Sequence, residues 1–290
     1  MHLPTAQRSL IEEIVADLAR IDGVAAVVLG GSHARGRARP DSDIDLGLLY
    51  RADRRFDVAA IRKLAGEWND TPDPVVSGFG EWGRWVDGGA WLTVRGQRID
   101  FLYRDIGLIA KTLAEAREGR FEVDFAQQAP FGFFGPTVLG EVAIARPLHD
   151  PDGLVAVLRS EVVPMPEALR CAVVQQGLWS VDFGLRAFAP KFVAAGNAYG
   201  AAGCFTRFGA DLVRVLFALN GTYPLNDKTA LAEIAEFPDR VPEFGNRLSE
   251  ILGSAGTDAQ GLSRSMRAMQ ALFDDVARLA GELYRPTWQF

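Results

Sequence analysis

Apolar positions in this chain follow two different periods, and the change from one to the other divides it near residue 150. Leu10, Ile11, Ile14, Val15, Leu18 and Ile21 recur at helical spacing behind Thr5, a candidate cap, and predict an amphipathic helix. The unbroken apolar run 24–29 reads as a buried strand that ends at Gly30 and Gly31. Residues 43–50 alternate, so Asp43 and Asp45 share one face and Ile44 and Leu46 the other. A second helix follows through Val58, Ile61, Leu64, Ala65 and Trp68 and stops before the turn at 72–74. Strands are expected at 74–79, 90–94 and 97–103, the last two forming a hairpin around Arg95-Gly96. A helix over 106–118 capped by Asp105, a loop over 127–136 and a strand over 141–146 complete an α/β unit with a mixed sheet, assigned to residues 1–150.

Beyond the turn at 147–151 the strand signals cease. Three apolar stripes run through Leu178, Val181 and Leu185, through Phe205, Phe208, Leu212 and Leu216, and through Leu262, Met266, Met269, Phe273 and Val276. Residues 151–290 are therefore expected to form an all-α helical bundle.

The candidate chemistry sits where the two glycines meet the alternating strand. Gly30, Gly31 and Ser32 allow a tight turn into a short helix, with Ser32 as its cap and free backbone N–H groups facing an anion. Asp43 and Asp45, two residues apart on one strand, stand roughly 6.6 Å from each other, a spacing from which two carboxylates can share a pair of divalent ions. Asp100 lies between Ile99 and Phe101 in a third strand; were that strand to pair beside 43–50, its carboxylate would join the other two. Three clustered acids repel one another unless cations neutralise them, which argues for Mg²⁺ at this place. His33, inside the turn, is either an exposed helix position or within reach of a nucleotide bound there.

Residues 80–91 hold Trp82, Trp85 and Trp91, three of the chain's six tryptophans. Trp91, in a strand, is expected in the core, whereas Trp82 and Trp85 are equally suited to stack on a base or sugar ring or to plug the sheet edge. The net charge of −6 is spread so that neither half is basic, which argues against a role on long nucleic acid. Mild acidity suits a cationic acceptor such as an aminoglycoside but is ordinary for a cytoplasmic protein. Cys171 and Cys204, far apart in apolar helical patterns, suggest neither zinc nor a disulfide, and no stretch has the roughly 20 apolar residues that span a bilayer. A reduced cytoplasm is the expected setting.

At Gly31, Ser32, Ala34, Gly36, Asp43, Asp45 and Asp100 the chain resembles the nucleotidyltransferase superfamily typified by DNA polymerase β and by the kanamycin and streptomycin nucleotidyltransferases. The shared pattern is an apolar strand, Gly-Gly/Ser, a short helix, Asp-x-Asp on a second strand and a lone Asp on a third. The resemblance covers roughly residues 20–105 and implies a polymerase-β-like catalytic domain, with the helical bundle binding substrate and the site in a cleft. It implies metal-dependent transfer of a nucleoside monophosphate, AMP from ATP foremost, to a hydroxyl of a small molecule or protein, with release of pyrophosphate. Asp43, Asp45 and Asp100 would then hold two Mg²⁺ ions, or Mn²⁺ in their place, and Gly30, Gly31 and Ser32 would bind the phosphates. The helix end at 216–228 resembles the helical halves of related enzymes, where basic residues face the triphosphate, and nominates Lys228. The rival reading is a regulatory, antitoxin-type binding module that keeps the metal site without significant turnover.

Overall fold

The computed structural model describes residues 4–287. The alternating segments assemble one six-stranded sheet from β1 (Ala26–Leu29), β2 (Ile44–Tyr50), β3 (Val75–Val76), β4 (Gly89–Val94), β5 (Gln97–Asp105) and, after the separate pair β6 (Val123–Asp124) and β7 (Phe133–Phe134), β8 (Arg146–His149). The order across it is β3-β4-β5-β2-β1-β8, with β2 and β5 parallel and all other neighbours antiparallel. The sheet is mixed, as the sequence pattern indicates.

The period of two sorts the faces. Ile44, Leu46, Leu48 and Tyr50 of β2, Ile99, Phe101 and Tyr103 of β5, and Ala90, Leu92 and Val94 of β4 all enter one core. That core is closed by Leu10, Ile14 and Leu18 of α1 (Thr5–Leu18) and by Ile61 and Leu64 of α3 (Val58–Trp68); between these helices in sequence comes the short α2 (Gly31–Arg35). Each fully buried side chain of this size contributes about 1.5–3 kcal/mol, which fixes the register because a one-residue slip would turn the whole set to solvent. The alternate positions, Asp45, Asp100, Arg104, Trp91 and Thr93, are thereby left on the other face.

After β5 the unit continues through α4 (Ile106–Arg117), α5 (Thr137–Ile144) and α6 (Leu154–Val162). Asp105 caps α4 as expected, its Oδ1 accepting from the Gly107 amide at 2.7 Å. Local expectations fail here at residues 141–146 and at Thr5. Residues 141–146 are not a strand: α5 covers most of them, and β8 starts at Arg146. A short apolar run such as Thr137-Val-Leu-Gly-Glu-Val-Ala-Ile144 fits either state, and the turn at Pro136 decides for helix. Thr5 does not cap α1, which has Pro4 at its cap position and Thr5 as its first residue.

The remaining helices are α7 (Glu167–Ala187), α8 (Ala189–Ala194), α9 (Ala198–Leu219), α10 (Ala230–Ile234), α11 (Phe244–Gly253) and α12 (Ala259–Ala280). The chain separates into two compact units, the first made of residues up to 115, 122–127 and 132–164, the second of 116–121, 128–131 and 165 onward. In the second, α7 and α9 pack closely because a Cβ at Gly177 would stand 2.6 Å from Val215 and one at Gly184 would stand 2.3 Å from Phe208. Its buried charges are partnered. Asp211 accepts from Ser180 at 2.9 Å and Arg214 at 3.2 Å, and Arg214 also donates to the Phe131 carbonyl at 2.8 Å. Cys171 and Cys204 are free thiols, and among the described residues no helix is long and apolar enough to cross a membrane.

Candidate active site

Pairing β2 with β5 in parallel sets Asp45 directly opposite Asp100, so two carboxylates leave adjacent strands on the same face, about 4.8 Å apart at the backbone. On the other side of β2, the Gly30 amide donates to the Asp45 carbonyl at 2.8 Å, which carries the same row onto the end of β1. Gly31 then adopts a left-handed φ of +54°, and a Cβ there would fall 1.8 Å from Oδ2 of Asp45. The glycine is required twice, by its dihedral and by the carboxylate seated against it.

Burial and the charges of Asp100, Asp43 and Glu141 push the Asp45 carboxyl up to about 6, with Arg104 opposing them. Asp100 is pushed up to about 6 as well, by burial and then by Asp43, with Arg98 pulling it down. The two strand carboxylates thus hold their protons more strongly than solvated ones do, because burial first and then neighbouring carboxylates disfavour their charged forms.

Asp43 precedes β2 in a loop that the hairpin ties down: Arg98 donates to the Asp41 carbonyl at 2.9 Å and Gln97 to the Ser42 carbonyl at 3.2 Å. Oδ1 of Asp43 lies 2.5 Å from Nε of Arg98, yet it is shut away from solvent and accepts no hydrogen bond with good geometry. Among the described residues no three acidic, histidine or cysteine groups are gathered as a ready-made metal cluster. The donor set nevertheless fits a hard divalent cation: its groups are carboxylate oxygens, two are electrostatically strained, and the third has a buried oxygen held by charge alone.

The sequence reading missed Glu141 and Arg104. Arg104, on the Asp100 face of β5, donates to Glu141 through Nε at 2.6 Å and Nη2 at 3.0 Å, and the two bear on Asp45 with opposite sign. The signal was hidden because Glu141 was read into a strand, where its direction could not be known. Ser32 is the reverse case. It is not the cap of α2; Gly30 holds that position, no side chain caps the helix, and Ser32 lies half-buried within its first turn. His33 sits beside it with a buried Nε2 that has no hydrogen-bond partner. Lys228 belongs to the second unit, exposed in the turn before α10, where the Asn226 side chain accepts from the Thr229 amide at 3.1 Å.

The tryptophans divide differently from the expectation. Trp85 is buried and stacks on Phe133, with ring centroids 5.3 Å apart. Trp91 is not core but 53% exposed, on the face of β4 opposite Ala90 and Leu92.

Strained carboxylates have a measurable consequence in the metal-free protein. A folded-state pKa raised from 3.8 to about 6 means that the native state binds more protons than the unfolded one between those values. These groups' contribution to stability is therefore full below pH about 4 and is lost as pH rises through about 6. Asp45→Asn, which mimics the protonated acid, is expected to be more stable than the parent at pH 7, on the order of 1–2 kcal/mol, and equal to it near pH 4. Thermal melts of chelator-treated proteins across this range give the answer; equal melting at pH 7 would mean the strain is absent.

A profile for the nucleotidyltransferase domain matches residues 11–106, and one for a domain of unknown function (DUF4037) matches residues 137–228. Among solved structures, a nucleotidyltransferase-like protein from Exiguobacterium sibiricum 255-15 is 12% identical with a TM-score of 0.45, the match covering 96% of this chain and 77% of that one. No curated protein matches. Residues 11–106 thus match the nucleotidyltransferase domain, the segment that carries Gly31, Asp45 and Asp100.

Proposed function

We propose that this protein transfers a nucleoside monophosphate, AMP from ATP in the first instance, to a hydroxyl group and releases pyrophosphate. The observation that carries the reading is the in-register pair Asp45 and Asp100 with Gly31 closed against Asp45, inside the segment that matches the nucleotidyltransferase domain. In the reaction the acceptor oxygen bonds to the α-phosphorus, the bond from that phosphorus to the β-phosphate bridging oxygen breaks, and the hydroxyl proton leaves. Asp100, on the strand between Asp45 and the β4 side of the row, is the candidate to take that proton.

Asp43, Asp45 and Asp100 would hold Mg²⁺ or Mn²⁺, which when bound supplies charge stabilisation at the transferring phosphoryl group. Arg98 pairs with Oδ1 of Asp43, so it would share that carboxylate with a bound cation or give it up. Gly30, Gly31 and Ser32 would position the β- and γ-phosphates, Ser32 as a ligand rather than a cap. The acceptor is a small molecule or a protein side chain.

Calorimetric titration with Mn²⁺ and the unreactive analogue α,β-methylene-ATP tests the site. Asp43→Asn and Asp45→Asn are each expected to weaken binding about tenfold or more, because a neutral amide is a poor ligand for a hard cation. Equal affinity in parent and variants would refute the metal assignment. Tight binding by a parent that never releases pyrophosphate from ATP would instead favour a regulatory binding module.

A further inference from the structure

The register that aligns Asp45 with Asp100 continues one strand further. Trp91 of β4 stands directly opposite Asp100, so Gly30, Asp45, Asp100 and Trp91 form one row across four neighbouring strands, roughly 14 Å from end to end. Its indole is 53% exposed although it sits in mid-strand, where a residue of that size is normally covered. It is also held in place. Trp82 stacks on it with centroids 4.8 Å apart and planes inclined by 25°. Room for Trp82 is made by Gly89, two residues before Trp91 on the same face, where a Cβ would meet the Trp82 ring at 2.9 Å. The Trp82 backbone is pinned on both sides, its amide donating to the Asp87 carbonyl at 2.9 Å and its carbonyl accepting from Gln127 at 2.7 Å. The result is a rigid two-indole wall whose open ring lies next to Asp100.

We propose that Trp91, backed by Trp82, is the acceptor subsite of the transfer reaction and takes the ring of a sugar or cyclitol. The inference rests on the proposed function, because in-line displacement puts the attacking oxygen on the side of the phosphorus opposite the departing pyrophosphate. With pyrophosphate toward Gly30, Gly31 and Ser32, the acceptor comes from the β4 end of the row. A pyranose or cyclitol suits both walls there: its C–H face packs on the electron-rich indole, and its hydroxyls point to a carboxylate that accepts hydrogen bonds and takes the proton. An open-chain alcohol offers no such face.

The test uses full-length protein labelled with fluorotryptophan, the Trp91 resonance being identified by its loss in Trp91→Phe. Methyl α-D-glucopyranoside and myo-inositol are titrated, with glycerol as the open-chain control, in the presence of Mg²⁺ and saturating α,β-methylene-ATP. The ring polyols are expected to shift the Trp91 signal where glycerol does not, and Trp91→Ala is expected to weaken their binding about tenfold, the scale of one ring-stacking contact. No added shift from either ring polyol overturns the proposal, and a shift caused by the nucleotide alone then marks a platform for the base. Calorimetry of the nucleotide analogue on the same preparation separates the two failures: a parent that does not bind it defeats the transferase reading, whereas binding with a Trp91 signal deaf to polyols defeats only the acceptor subsite.

Discussion

Asp100→Asn is expected to lower metal-dependent pyrophosphate release about a thousandfold while leaving much of the affinity for the nucleotide analogue, a loss equivalent to about 4 kcal/mol of transition-state stabilisation. The side chain keeps its size and its place opposite Asp45, so the β2–β5 register and the core face beneath it have no reason to change. What disappears is a negative charge and a proton acceptor at the position nearest the acceptor side of the row. Binding is expected to suffer less because Asp43 and Asp45 remain to hold the nucleotide. A second measurement distinguishes this from a structural defect. The Asp100 charge is the largest influence on Asp45 after burial, so its removal is expected to lower the Asp45 carboxyl from about 6 toward the ordinary range. Carboxyl-carbon NMR titration of the metal-free variant reads that shift directly. Release at close to the parent rate would remove Asp100 from the chemistry.

The parts of this site that were legible in the sequence are those governed by alternation. Asp45 and Asp100 each sit between apolar residues of a strand, and once Ile44, Leu46, Ile99 and Phe101 are committed to one core the carboxylates can only face the other way. The same rule also places Trp91, since Ala90, Leu92 and Val94 take the buried face. It was misread because the side chain's own hydrophobicity was weighed above its register. What could not be read depends on partners distant in sequence. Glu141 bears on Asp45 only because α5 is a helix, and Asp43 meets Arg98 across 54 intervening positions that local pattern does not connect. The role of Ser32 turned on a single dihedral. With Gly31 at positive φ as the first helical residue, the cap position moves back to Gly30, a shift that composition does not reveal.

That dihedral makes Gly31 the most demanding position in the turn, and Gly31→Ala is expected to cost about a hundredfold in metal-dependent nucleotide binding. Two penalties combine. Alanine at φ +54° is strained by about 1 kcal/mol, and its methyl group would lie 1.8 Å from Oδ2 of Asp45, a distance no rotamer of alanine can relieve. The carboxylate must therefore swing out of the row it shares with Asp100, so the displaced group is a candidate ligand rather than a bystander. The β1–β2 ladder, with Leu29 paired to Leu46 and the Gly30 amide bonded to the Asp45 carbonyl, holds the backbone, and the variant is expected to fold with only modest loss of stability. Gly36→Ala supplies the control. Gly36 has a similar φ of +69° but open space where its Cβ would go, so it suffers the strain without the collision and is expected to bind nucleotide nearly as the parent does. If the two variants bind the analogue equally well while both remain folded, the contact between Gly31 and Asp45 has no part in binding, and the glycine is there for its dihedral alone.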